Sequence, residues 1–127
     1  MITETEVKEL WTNWNNALKT LDPEKVAQLY HPDSVLLPTL SNKIRTDYDG
    51  KYEYFTGFLA KKPIVTINEE YVNIISSSMV SYNGIYTFDF TAVGKKVNVR
   101  FTYVYTLENG EWKIKTQHSS AMPIQVA

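Results

Sequence analysis

Asn109-Gly110 sits between two alternating runs, Val97 to Leu107 and Trp112 to Met122. No other feature limits the fold as much. Both central residues of a type I′ turn need positive φ, and Asn-Gly supplies them at the lowest steric cost. A two-residue turn here sets Leu107 opposite Trp112, Tyr105 opposite Ile114, Tyr103 opposite Thr116, Phe101 opposite His118 and Arg100 opposite Ser119. One face of the hairpin is then aromatic and aliphatic. The other carries Arg100, Thr102, Thr106, Lys113, Lys115 and Gln117.

A second tight turn at Gly94-Lys95 extends the meander, since glycine suits the first central position of a type II′ turn. It places Asp89 opposite Arg100, Phe88 opposite Phe101 and Tyr86 opposite Tyr103. Upstream, the spacing predicts strands over Ile64–Ser76 and Met79–Val93, divided by a serine-rich turn. Nine tyrosines, five phenylalanines and three tryptophans, 13% of the chain, suit such strands.

The N-terminal part is helical. Thr3 and Glu6 form a capping box, and Val7, Leu10, Trp11, Trp14, Leu18 and Leu21 make one apolar stripe. The helix is predicted from Glu4 to Thr20. Asp22-Pro23 starts a second, short helix whose apolar side is Val26, Leu29 and Tyr30, stopped by His31-Pro32. Ser34 to Pro38 reads as a short strand. Thr39 to Arg45 reads as a loop, and a third helix is capped by Thr46 or Asp49. Tyr48, Tyr52, Phe55 and Leu59 mark that helix's stripe, and Pro63 ends it. Helices followed by an antiparallel meander describe one α+β domain over residues 1–127, with the helices on one sheet face.

Composition excludes several functions. Net charge is −1, with no basic stripe for nucleic acid. No segment reaches membrane-spanning length, and the N-terminus lacks a secretory pattern, so a cytoplasmic protein is expected. With no cysteine and only His31 and His118, neither a thiolate site nor a multi-histidine metal site can form; no cofactor is expected.

Arg100-Phe-Thr-Tyr-Val-Tyr, Asn109-Gly-Glu-Trp112 and His118-Ser-Ser-Ala-Met-Pro123 resemble the C-terminal end of the calcium/calmodulin-dependent protein kinase II association-domain family. Trp14-Asn-Asn-Ala-Leu18, Tyr30-His-Pro-Asp33-Ser-Val-Leu-Leu-Pro38, Arg45-Thr46 and Tyr54-Phe55 resemble its small bacterial members. The resemblance implies the SnoaL-like, nuclear transport factor 2-like fold. That fold is a cone-shaped α+β domain, a curved antiparallel sheet wrapped around a long N-terminal helix with a pocket inside. It also implies an oligomerising hub or small-ligand-binding module, here without a kinase. Two arginines of the hub pocket fall at Tyr103 and Ser119. More distant members are isomerases, cyclases or hydrolases working through a buried carboxylate and an oxyanion donor.

The candidate pocket residues are Trp14, Tyr30, Arg45, Tyr54, Tyr86, Tyr103 and His118. His118 is either an acid/base group or a hydrogen-bonded core residue. Arg45 either clamps a carboxylate or ties its loop to Asp47 or the sheet. Asp33 is the one modest candidate for a catalytic acid; a turn cap is the other reading. Asp89, Arg100, Thr102 and Val104 form a half-polar, β-branched outer face suited to a homodimer or larger ring.

Overall fold

The computed structural model describes residues 1–123. Helix α1, Glu4–Lys19, begins at the expected capping box. The Glu6 amide donates to Thr3 Oγ1 at 3.2 Å, and the Thr3 amide donates to Glu6 Oε1 at 3.0 Å. Its buried stripe is Val7, Trp11, Trp14 and Leu18, which lies against the sheet. Helix α2, Pro23–Ala27, is capped by Asp22 with Pro23 at its first position. No helix among the described residues is long and apolar enough to cross a membrane.

Five strands follow: β1 Tyr30–Leu37, β2 Pro63–Ser76, β3 Met79–Phe90, β4 Lys95–Glu108 and β5 Glu111–Ala121. The third helix, α3 Tyr48–Ala60, connects β1 to β2. The strand order is β1-β5-β4-β3-β2 in a curved, unclosed sheet. Tyr30 therefore opens a strand and does not close a helix. β1 pairs with β5 in parallel, so the sheet is mixed and not wholly antiparallel.

The Asn109-Gly110 turn forms as expected, with φ of 54° and 77°, and Leu107–Trp112 and Tyr105–Ile114 are opposite pairs. Beyond them the register departs. Tyr105 faces Ile114, but Val104 faces Thr116, leaving Lys115 as an extra residue in a β-bulge. The Lys115 ammonium reaches Asp33 at 2.8 Å and Glu108 at 3.2 Å from that position. Every β5 side chain from Thr116 to Ala121 is inverted relative to the two-residue alternation. Phe101 faces Ser119, Thr102 faces His118, and Arg100 faces Ser120.

The second turn also differs. It spans Thr91–Gly94, so Phe90 pairs with Lys95 and Ile85, not Asp89, lies opposite Arg100. The Thr91 and Ala92 amides donate to the carbonyls of Lys62 and Lys61, which anchors the wider turn to the end of α3. Asp89 faces Lys96 instead, so the expected Asp89–Arg100 pair does not form. An even shift leaves the two sheet faces unchanged. Tyr82, Tyr86, Phe88, Phe101, Tyr103 and Tyr105 are buried, and Arg100 is exposed.

α3 is capped by Asp47, between the two expected positions. Its buried side is Lys51, Phe55, Phe58 and Leu59, while Tyr48 and Tyr52 are exposed. Lys51 Nζ donates to the carbonyls of Ser34 at 2.9 Å and Asp47 at 3.3 Å. Burial pulls its ammonium below the usual lysine range, with Asp47 and Asp33 partly opposing.

Candidate functional site

Between α1, α3 and the inner sheet face the aromatic residues meet end to end. Trp14 stacks on Tyr86 at 6.5 Å and meets Tyr103 edge-on at 5.4 Å, while Tyr86 stacks on Phe101 at 4.3 Å. Their polar tips need partners, because an unpaired buried donor costs about 1–3 kcal/mol. Trp14 Nε1 donates to the Tyr30 hydroxyl at 3.1 Å, and that hydroxyl donates to Gln117 Oε1. The Tyr86 hydroxyl bonds with Ser119 Oγ at 2.9 Å and the Tyr103 hydroxyl at 3.2 Å. Ser119 Oγ bonds with Thr39 Oγ1, and the Tyr54 hydroxyl donates to the Thr39 carbonyl at 2.9 Å.

Five of the expected pocket residues thus converge: Trp14, Tyr30, Tyr54, Tyr86 and Tyr103. Their partners Gln117, Ser119 and Thr39 went unread in the sequence. The bulge at Lys115 turns Gln117 and Ser119 inward, and nothing in their residue types signals it. The network surrounds little empty space. The void bordered by Trp14, Thr39, Tyr54, Gln117 and Ser119 is about 10 Å³, near the minimum for one water.

The electrostatics suit a neutral hydrogen-bond network. Burial pushes the Tyr30, Tyr103 and Tyr105 hydroxyls well above the usual phenol range. Tyr86 rises to about 12, burial being partly offset by its bonds to Ser119 and Tyr103. The buried polar and charged residues include His31, Arg45 and Lys51, but no Asp or Glu among those described. Among the described residues no carboxylate is placed in the interior.

The remaining candidates lie elsewhere. His118 is exposed on the outer face, opposite Thr102, and borders a shallow depression with Arg100 and Ser120. The expectation that it stands on the apolar face beside Phe101 fails, because the bulge inverts it. Arg45 pairs with Leu36 of β1 through its backbone, and its Nη1 donates to the Gly50 carbonyl at 3.0 Å and Glu53 at 2.8 Å. Its backbone ties the loop to the sheet, one of the two expected anchors, and its side chain ties it to α3; Asp47 is not its partner. Asp33 is exposed and held by Lys115, which keeps its carboxyl below the usual range; it does not face the interior. Arg100, Thr102 and Val104 share the outer face of β4, with Asp89 farther along β3.

The chain matches the calcium/calmodulin dependent protein kinase II association domain over residues 3–123. A Xanthomonas campestris protein assigned to that domain superposes with a TM-score of 0.92 at 44% identity, covering 97% of this chain and 90% of its own. A nuclear transport factor 2-like protein from Pseudomonas putida superposes with a TM-score of 0.81 at 15% identity, covering 94% of this chain and 86% of its own. A Streptomyces avermitilis protein of the same fold, assigned as a dehydratase, gives 0.73 at 13% identity, covering 94% and 96%. The latter two share the fold alone. No curated protein matches.

Proposed function

We propose, starting from the premise that this chain belongs to the calcium/calmodulin dependent protein kinase II association-domain family, that it is a non-catalytic assembly module. It self-associates through its outer sheet face. The observation that carries this reading is the uneven covering of the sheet. The three helices of the described residues lie on the inner side, against a filled interior with a void of about 10 Å³. The outer face, with Ile85, Thr102 and Val104 half-buried, carries no helix among the described residues.

The filled interior supports assembly over chemistry. An isomerase, cyclase or hydrolase of the SnoaL-like type needs a carboxylate beside an open cavity. Here the buried phenols are tied to one another, to Gln117 and to Ser119. Native mass spectrometry at micromolar concentration tests the reading. A dimer or a larger ring is the expected species, and a monomer alone refutes it.

A further inference from the structure

We propose that the assembly unit is a face-to-face dimer whose two-fold axis runs along β3, with Glu69 of each copy paired to Arg100 of the other. The proposal rests on the assembly reading above and adds the axis and the contacts that fix it. Three rows of the outer face carry the argument. Reading from β2 through β3 to β4, they are Glu69–Ile85–Arg100, Tyr71–Asn83–Thr102 and Asn73–Ser81–Val104. Glu69 and Arg100 are both exposed, and neither has an ion-pair partner among the described residues. The Tyr71 hydroxyl donates to Glu69 Oε2 at 2.9 Å and so steadies the carboxylate.

A closed homodimer applies the same patch to itself, so the axis decides which strands meet. An axis along β3 lays β4 of one copy over β2 of the other. Arg100 then meets Glu69 twice, Tyr71 covers Thr102, and Ile85 meets Ile85 at the centre. Neighbouring strands lie about 4.8 Å apart, so the two ion pairs sit roughly 5 Å to either side of the axis and about 10 Å from each other. Sheets packed in this way stay close to aligned. Each Asp89 keeps Lys96 opposite it within its own sheet.

The other axes leave charge unmatched. An axis along β4 sets Arg100 on Arg100. An axis between β3 and β4 puts Arg100 on Ile85 and Glu69 on Ser120. An axis across the strands, through the Thr102 row, puts Arg100 on Val104 and Glu69 on Asn73. Only the β3 axis neutralises both exposed charges.

Charge reversal tests this. Glu69→Arg alone creates two Arg–Arg contacts, and Arg100→Glu alone creates two Glu–Glu contacts. An equimolar mixture of the two variants restores both pairs in a heterodimer. Sedimentation analysis should show each variant's dimer dissociation constant raised by about tenfold or more. The mixture should return to within about threefold of the parent. Native mass spectrometry of the mixture, one variant isotope-labelled, should show mainly the heterodimer. Variants that dimerise like the parent, or a mixture that is not rescued, overturn the axis while leaving assembly intact. A monomeric parent overturns both. Should a reversal fail to fold by circular dichroism, Glu69→Gln and Arg100→Gln replace it; each must weaken the dimer, and no weakening overturns the axis.

Discussion

Trp14 joins the two interactions that hold the interior together. Its ring stacks on Tyr86 and meets Tyr103 edge-on, and its N–H donates to Tyr30. These contributions can be separated. Trp14→Ala removes ring and donor together and should cost about 3–5 kcal/mol of stability. Trp14→Phe keeps an aromatic ring and loses only the N–H. The Tyr30 hydroxyl still donates to Gln117, so this loss should be about 1 kcal/mol beyond the smaller ring's lost contacts. Urea unfolding of both variants measures the split. Equal losses would show that the hydrogen bond, not ring packing, is what Trp14 supplies.

At the scale of elements, β2 meets β3 through a bulge, a feature that bends the strand carrying it. Ile67 faces Tyr86 and Glu69 faces Ile85, so Asn68 is an extra residue. Gly84 lies beside this bulge, where an added Cβ would stand 2.0 Å from the Glu69 carbonyl oxygen. Backbone, not a flexible side chain, fills the space. Gly84→Ala should therefore lower stability by at least about 1–3 kcal/mol and depress the thermal midpoint. Gly57, inside α3 with nothing within 4 Å of a built Cβ, is the control. Gly57→Ala should gain about 0.5–1 kcal/mol. A neutral Gly84→Ala would mean that the strands can part there without loss. Elements fixed by local chemistry were legible in the sequence: the capping box of α1, Asp22-Pro23, and the Asn109-Gly110 turn. Features fixed by distant partners were not. Gln117, His118 and Ser119 are all polar, so no alternation marks the bulge at Lys115, and the inversion moved His118 out of the site. The turn at Thr91–Gly94 is held by carbonyls of Lys61 and Lys62, some thirty residues earlier. The parallel pairing of β1 leaves no local trace either. Tyr48 and Tyr52 look more apolar than Lys51, yet Lys51 finds two carbonyls and is buried in their place. The five aromatic members of the site were legible because aromatic residues must be buried somewhere. Their hydrogen-bond partners were not, because partnership depends on register.

For the molecule as a whole, the interior imposes an asymmetric response to pH. Its buried titratable groups are mainly phenols: Tyr30, Tyr82, Tyr86, Tyr103 and Tyr105 are all buried, and burial raises each of them. An unfolded phenol loses its proton near pH 10. A folded chain that still holds these protons above that pH binds more protons than the unfolded one, so its stability falls as pH rises. Below pH 10 both states keep the protons, and the phenols contribute no pH dependence. No Asp or Glu belongs to the described buried set, so acid does not attack the core from within in the same way. Alkaline unfolding should accordingly be cooperative. Tyrosinate absorbance should rise first for the exposed tyrosines with no change in near-ultraviolet circular dichroism. It should then rise steeply as the aromatic signal collapses. The hydroxyls of Tyr86, Tyr103, Ser119 and Thr39 form one connected network, so a single ionisation removes donors from several neighbours at once. Buried tyrosines that titrate one at a time, with the aromatic signal intact, would show an interior open to hydroxide and water. That would reopen the case for a ligand pocket among these same residues.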